Sequence, residues 1–178
     1  MSSSPIEAAI AEVKARPAAR FSTAPDRFDR ILALLASGFL VLVLVALFKG
    51  QAEWARVPLL IWAHLLTIIV ALVLTPVMLL RRRGDRQHRV LGWIWAAALF
   101  GTAFISLFVK VINPGHFSYI HLLSIFTIVQ VPLIILSARR HDHRRHRRSV
   151  RGMVIGALLI AGFFTLPYGR LIGHWLFS

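Results

Sequence analysis

The chain has 178 residues, 57% of them hydrophobic, and a mean hydropathy of +0.70, which is too apolar for the surface of an ordinary globular protein. The absence of cysteine excludes disulfides, thiolate catalysis, zinc–thiolate sites and cysteine-ligated iron–sulfur clusters. The formal net charge of +14 comes from 21 Lys and Arg against seven Asp and Glu. We assign this charge to contact with anionic lipid headgroups and expect no nucleic-acid partner.

Residues 1–29 form a polar, basic tail that we expect to lie in the cytoplasm. Ser4 and Glu7 have the spacing of a capping box, and Pro5 stands at a favourable first helical position. This pattern predicts a short amphipathic surface helix over residues 1–16, with an unstructured tail as the alternative. We expect no signal peptide, because the apolar run begins too late in the chain.

Five apolar segments follow the tail, at about 31–48, 57–80, 88–109, 119–137 and 152–168. A helix needs about 20 residues to cross roughly 30 Å of hydrocarbon, and each segment is close to that length. The sequence therefore predicts that residues 30–178 form one all-α integral membrane domain, a bundle of five transmembrane helices.

The most basic stretch, Ala138 to Arg151, holds seven arginines and three histidines against one acid and lies between the fourth and fifth segments. Cationic loops beside membrane spans are retained on the cytoplasmic side. With the amino terminus inside, 17 of the 21 Lys and Arg fall on that side. We therefore expect a cytoplasmic amino terminus and an outside carboxy terminus in a multi-pass plasma-membrane protein.

Histidine is the only residue type with an ordinary pKa near neutral pH inside or flanking the predicted spans, which contain no Asp or Glu. This absence argues against the buried carboxylates of proton-coupled carriers and cation channels. His64 on the second span and His121 on the fourth fall in the outer half of the membrane, while His88 and His146 lie near the inner face. Paired histidines on alternating helices are typical of membrane bundles that hold b-type haem between two imidazoles.

Each of these residues also has an ordinary structural interpretation. Histidines that lie among arginines, as His88 and His146 do, are usually solvated, and a histidine within a span often bonds to a neighbouring helix. A zinc or copper site at His141, His143 and His146 is disfavoured by the surrounding arginines. Arg170 is a candidate partner for a haem propionate or an anionic headgroup, with snorkelling to the interface as the alternative.

Four motifs carry a resemblance to a known family: His88-Arg-Val-Leu-Gly92, Gly115-His-Phe-Ser-Tyr-Ile-His-Leu-Leu-Ser124, His146-Arg-Arg-Ser149 and Ile160-Ala-Gly-Phe-Phe-Thr-Leu-Pro-Tyr-Gly-Arg170. Through them, residues 61–173 resemble a family of bacterial membrane proteins catalogued as domain of unknown function number 2306. Met153 departs from that pattern, because methionine usually follows the inner histidine sooner. The resemblance implies a multi-span fold in the bacterial plasma (inner) membrane and no established activity. The first motif also looks like the His-x-x-Leu-Gly of two-haem transmembrane cytochromes b.

Two functions fit these observations. The first is a membrane electron carrier in which His64 and His121 ligate an outer haem b iron, His88 and His146 hold an inner one, and a quinone or another redox protein is the partner. The second is a cofactor-free scaffold, assembly factor or small transporter subunit whose histidines serve packing. Histidines around a slot wide enough for a porphyrin favour the first, and a tightly filled bundle favours the second. No hydrolase or transferase motif is present, and the enzymatic role consistent with the first function is that of an oxidoreductase component.

Overall fold

The computed structural model describes Ile6, residues 24–109, 119–167 and 169–178, with the backbone alone for residues 119 and 120. The regular structure in these ranges is helical: α1 (Arg27–Lys49), α2 (Leu59–Leu80), α3 (Arg86–Ser106), α4 (Tyr119–Arg139), α5 and α6 (Leu171–Phe177). α5 is continuous, being α-helical over His143–Met153, π-helical over Val154–Ile160 and α-helical over Ala161–Phe163. A 3₁₀ helix, Gly50–Arg56, joins α1 to α2. Apart from Ile6, the amphipathic helix predicted in the tail lies outside the described residues.

Three of the long helices, α1, α3 and α5, begin at an aspartate. Asp26, Asp85 and Asp142 are the N-caps of α1, α3 and α5, and each side chain accepts a hydrogen bond from the backbone N–H three residues on. Asp29 completes a capping box by accepting the backbone N–H of Asp26 at 3.1 Å. A carboxylate there satisfies N–H groups that have no partner within the helix and interacts favourably with the helix dipole.

The five long helices form a closed ring. Each packs against the next one along the chain, and the π-helical part of α5 packs back against α1. Leu72, Leu99, Met153 and Leu158 fill the interior and are at most 1% exposed. The outer surface keeps many large apolar side chains exposed, which suits contact with lipid rather than water.

Four helical segments are long and apolar enough to cross a membrane: Arg27–Arg56, Leu59–Leu80, Arg86–Ser106 and His121–Arg139. This result confirms a helical bundle of the multi-pass membrane type. The fifth predicted span, at about 152–168, is not among the spans found in the described ranges. The apolar part of α5 starts near Gly152, and the helix ends at Phe163, where the chain turns towards α6.

The basic stretch between the fourth and fifth apolar segments is mostly helical, whereas the sequence predicts a loop. The turn is confined to Arg140–Asp142, with His141 in the left-handed region at φ 56°. From His143 onward the arginines belong to α5. Arginine is a good helix former, and Asp142 supplies the cap, so α5 begins well before its apolar part.

Candidate functional site

A cavity of about 250 Å³ lies inside the helix ring. Its walls come from the second halves of α1 and α3, the first halves of α2 and α4, and the end of α5. We use the name basic end for the end of the bundle at which α1, α3 and α5 begin. The cavity therefore occupies the opposite half of the bundle. Most of the lining is apolar, and its polar side chains are His64, Thr102, Ser106, His121, Ser124, Thr127, Thr165 and Arg170.

His64 lines this cavity from the second turn of α2, and its ring is oriented by α3. Its Nδ1 lies 3.2 Å from the Thr102 carbonyl oxygen. A carbonyl only accepts hydrogen bonds, so Nδ1 donates and the Nε2 of the neutral ring keeps its lone pair. The Thr102 hydroxyl also donates to the Thr67 hydroxyl at 2.8 Å, which links the two helices at the same level. A histidine held in this way has the tautomer that a metal-ligating Nε2 requires.

His121 lines the same cavity from the first turn of α4 and is only 4% exposed. One turn further on, the Ser124 hydroxyl donates to the Ser106 hydroxyl of α3 at 3.0 Å. The structure therefore brings the outer histidine pair, which the sequence places on two separate spans, to one enclosed space. No other pair of histidines shares that space among the described lining residues.

Arg170 reaches the cavity from a segment that we call the cap, residues 165–167 and 169–177. The cap follows α5, and Gly169, Leu171 and Ile172 also line the cavity. The guanidinium of Arg170 makes no hydrogen bond or ion pair with the described residues, and no Asp or Glu is among the described lining residues. Among the described residues of the lining, Arg170 is therefore the only Lys or Arg.

The cap is fixed to the end of α1 by contacts that the sequence did not suggest. Trp175 is 1% exposed and packs directly over Gly50, where any side chain would collide with its ring. The Trp175 Nε1 donates to Glu53 at 3.0 Å, and Lys49 Nζ donates to the Leu176 carbonyl oxygen at 2.6 Å. A glycine followed three residues later by Glu is too common a pattern to have revealed this contact.

The inner histidine pair lies at the basic end, outside the cavity lining. His146 Nδ1 donates to the Ile134 carbonyl oxygen at 3.1 Å, so His146 has the same tautomer as His64. The Nδ1 of His88 is buried without a hydrogen-bond partner among the described residues. Burial lowers the pKa of His146, although its bond to Ile134 opposes that shift. Both residues are thus partly withdrawn from solvent at the same end of the bundle.

Next to this pair is a cluster that we call the clasp, formed by Asp26, Asp29, Arg83, Arg147 and Arg151. Asp29 has no exposed surface and accepts bonds from Arg83 at 2.5 Å, Arg147 at 2.6 Å and Arg151 at 2.9 Å. Arg147 and Arg151 also pair with Asp26, at 2.9 and 2.6 Å. The clasp joins the start of α1, the α2–α3 connection and α5, a role that sequence reasoning missed. The Asp-x-x-Asp pattern ahead of an apolar run was its one available sign.

The cavity can be compared with the needs of a b-type haem, the cofactor suggested by the sequence. His64 and His121 supply two imidazoles from different helices, His64 has the required tautomer, and Arg170 supplies a cation for a propionate. The donor set therefore fits. The enclosed volume of about 250 Å³ is just below the roughly 300–1,000 Å³ of pockets for drug-sized ligands, so these walls enclose a porphyrin only in part.

No family model, curated protein or solved structure matches this chain. The all-helical ring, its apolar exterior and its four membrane-length helices define the class of the protein, which is that of multi-pass helical membrane proteins. The resemblance to the family of unknown function remains a prediction from the sequence.

Proposed function

We propose that this protein is a membrane electron carrier that binds b-type haem between α2 and α4. The observation that carries the proposal is the meeting of His64 and His121 in one largely apolar cavity, with the Nδ1 of His64 bonded to the Thr102 carbonyl. A haem held by two imidazoles would supply a one-electron carrier within the membrane. Electrons would be exchanged with a quinone or another redox protein.

Each residue has a separate part in this proposal. The Thr102 carbonyl holds the His64 ring so that Nε2 is available as a ligand, and His121 provides the second imidazole. Arg170 neutralises a propionate. The apolar lining excludes water, and low solvent exposure is one of the factors that set the potential of a bound haem.

His88 and His146 are our candidates for the ligands of a second, inner haem. Their partial burial at the basic end supports that assignment, as does the hydrogen bond from His146 to Ile134. Two sites in opposite halves of the bundle would give a route for electrons across the membrane, as in the two-haem transmembrane cytochromes b that the sequence resembles.

We further propose a bacterial plasma-membrane location with five membrane crossings and a cytoplasmic amino terminus. In favour of this, the basic end gathers the arginines of the α2–α3 connection and of the start of α5, which the positive-inside rule would retain in the cytoplasm. Anionic headgroups would contact the exposed arginines of that end.

A cofactor-free scaffold, assembly factor or transporter subunit is the second candidate. The observations that favour it are the modest cavity volume and the close packing of the clasp. In that case the histidines would serve only as hydrogen-bonding residues between helices, as His64 does with Thr102.

The absorption spectrum of the detergent-purified protein, oxidised and then dithionite-reduced, tests the proposal. We expect a sharp Soret band and split bands on reduction, and we expect His64→Ala and His121→Ala each to abolish the contribution of the outer haem. His143→Ala is the matched control, because His143 is exposed and lies outside the cavity lining. A colourless protein from haem-replete cells would contradict the electron-carrier proposal and favour the cofactor-free candidate. Bands unchanged in both cavity variants would place any haem elsewhere.

A further inference from the structure

We infer that the cavity is built for an amphipathic carboxylate, with an apolar body among the helices and its carboxylate on Arg170. If the ligand is haem, the inference rests on the proposed function. If the ligand is a single-chain fatty acid, which also has an apolar body and a carboxylate, the inference is independent of it. It is drawn from the charge and the hydrogen bonding of the lining, and not from the histidines.

The first step concerns the charge of Arg170. Its side chain lines the cavity without a hydrogen-bond or ion-pair partner among the described residues, and the described lining includes no acid. Glu53 is an acid that contacts the cap, but it already accepts a hydrogen bond from Trp175 Nε1 at 3.0 Å and lies 3.4 Å from His174 Nε2. Arg170 is partly buried, and a guanidinium that is partly withdrawn from water costs free energy unless an anion accompanies it. A ligand anion would remove that cost.

The second step concerns the position of Arg170. Its backbone is extended, at φ −116° and ψ 151°, and its N–H donates to the Pro167 carbonyl oxygen at 2.9 Å. Its own carbonyl oxygen accepts from the backbone N–H of His174 at 2.7 Å. These two bonds fix Arg170 at the start of α6. The packing of Trp175 over Gly50 holds the cap, and Arg170 with it, against the end of α1. This is a defined position for a cation, unlike that of an arginine on an exposed loop.

The third step concerns the remaining polar groups of the lining. The Thr127 and Thr165 hydroxyls donate to the carbonyl oxygens of Leu123 and Gly162, and the Thr102 hydroxyl donates to Thr67. The Ser124 hydroxyl bonds to Ser106. These groups satisfy one another within the protein and need no ligand. The surface offered to the body of a ligand is therefore mainly apolar.

These three features together describe the ligand. An apolar body gains from burial among the aliphatic walls, and a planar carboxylate matches the two parallel N–H groups of a guanidinium. The enclosed volume of about 250 Å³ suits part of a ring or a single chain rather than a two-chain phospholipid. A haem propionate and a free fatty acid both meet the description, and binding experiments can distinguish them.

The test compares acids with their esters on the full-length protein in a non-ionic detergent. Hemin and hemin dimethyl ester form one pair of probes, and a dansyl-labelled fatty acid and its methyl ester form the other. The variants are Arg170→Met, which removes the charge, and Arg170→Lys, which keeps it. Arg56→Met is the control, because Arg56 is exposed on the 3₁₀ helix and does not line the cavity.

We expect at least one acid to bind about tenfold more tightly than its ester, since a hydrogen bond to a charged group has about that value. Arg170→Met should abolish this preference by weakening the acid alone, Arg170→Lys should restore part of it, and Arg56→Met should leave it intact. Equal binding of acid and ester, or an acid preference that survives in a folded Arg170→Met protein, would overturn the inference.

The two probe pairs separate the inference from the proposed function. If the fatty acid binds with a preference that depends on Arg170 and neither hemin nor its ester binds, the haem proposal fails and the inference stands. If hemin and its ester bind equally well, both need His64, and the fatty acid shows no preference over its ester, the haem proposal stands and the inference fails. If no probe binds, both are wrong.

Discussion

Asp29 is a carboxylate without exposed surface in a chain that is otherwise strongly basic, and three guanidinium groups surround it. Removing an ion from water is costly, so a buried carboxylate persists only where several donors replace the lost hydration. Arg83, Arg147 and Arg151 come from two other segments of the chain. One side chain on α1 thus holds together parts of the protein that are distant in sequence.

We expect Asp29→Asn to lower the free energy of unfolding by about 2–3 kcal/mol. Loss of one partner from a buried ion pair costs roughly 3–5 kcal/mol, and the value is reduced here because solvent reaches the arginines. The measurement is the unfolding transition of the purified protein in mixed micelles at increasing denaturing-detergent fraction.

Asp85→Asn is the matched control for that measurement. Asp85 pairs with Arg81 at 2.8 Å, but both side chains are substantially exposed, and asparagine is an equally good N-cap. Its transition should stay close to that of the parent. Equal destabilisation by the two substitutions would contradict a special role for Asp29.

Individual residues differ in how well the sequence predicted them. His64, His121 and Arg170 stand out because a polar residue beside apolar segments needs an explanation, and the structure places all three in one cavity lining. Asp29 is the last residue of a region that we interpreted as a tail, so its burial could not be foreseen. Its partners are up to 122 positions away, and no local pattern encodes such a pairing.

The cap contributes Arg170, Leu171 and Ile172 to the cavity lining, so its position affects the cavity directly. α6 has only seven residues, too few to form a stable helix alone, so packing must hold it in place. Trp175 provides that packing over Gly50, and Glu53 accepts the indole hydrogen bond. Because Ile172 lies in the cavity lining and is 6% exposed, release of α6 would expose it.

We expect Glu53→Ala to increase the opening of the cap, because it removes the hydrogen bond to Trp175. The absence of native cysteine allows a direct measurement, with Ile172→Cys as the reporter in both backgrounds. The rate of maleimide labelling of the purified protein should rise several-fold in Glu53→Ala. Gln51→Ala, an exposed change on the same 3₁₀ helix, is the control and should leave the rate unchanged. Equal rates in all three backgrounds would show that Glu53 does not hold the cap.

At the level of helices, hydropathy predicted the bounds of α1 to α4 to within a few residues, since apolar periodicity and length identify them directly. Charge composition was less informative for the basic stretch. A run of arginines reads as a loop, yet Asp142 caps a helix that begins at His143. The π-helical part at Val154–Ile160 leaves no recognisable pattern, because its geometry depends on packing against α1 and α4.

For the whole molecule, the sequence predicted an all-helical membrane bundle, and the structure confirms a helical bundle with membrane-length helices. Closure of the ring by contact between α5 and α1 was not predictable, because hydropathy gives the number of helices but not their neighbours. The cavity is a consequence of that closure, since its walls come from all five long helices and the cap. Its existence could not be read from the residues alone.

The number of membrane crossings and their direction form the last prediction, and two single cysteines test both. Arg140 lies in the exposed turn at the basic end, and Ser178 is exposed at the other end of the chain. In spheroplasts, we expect a membrane-impermeant maleimide to label Ser178→Cys at once and Arg140→Cys only after permeabilisation, because the arginine-rich end is retained inside. The cysteine-free parent is the control for background labelling. Labelling of both sites from outside would mean that α5 does not cross the membrane and that the basic end faces out. Labelling of neither site would mean that α5 fails to cross the membrane while the basic end stays inside. The apolar part of α5, from Gly152 to Phe163, would then be too short to span the hydrocarbon.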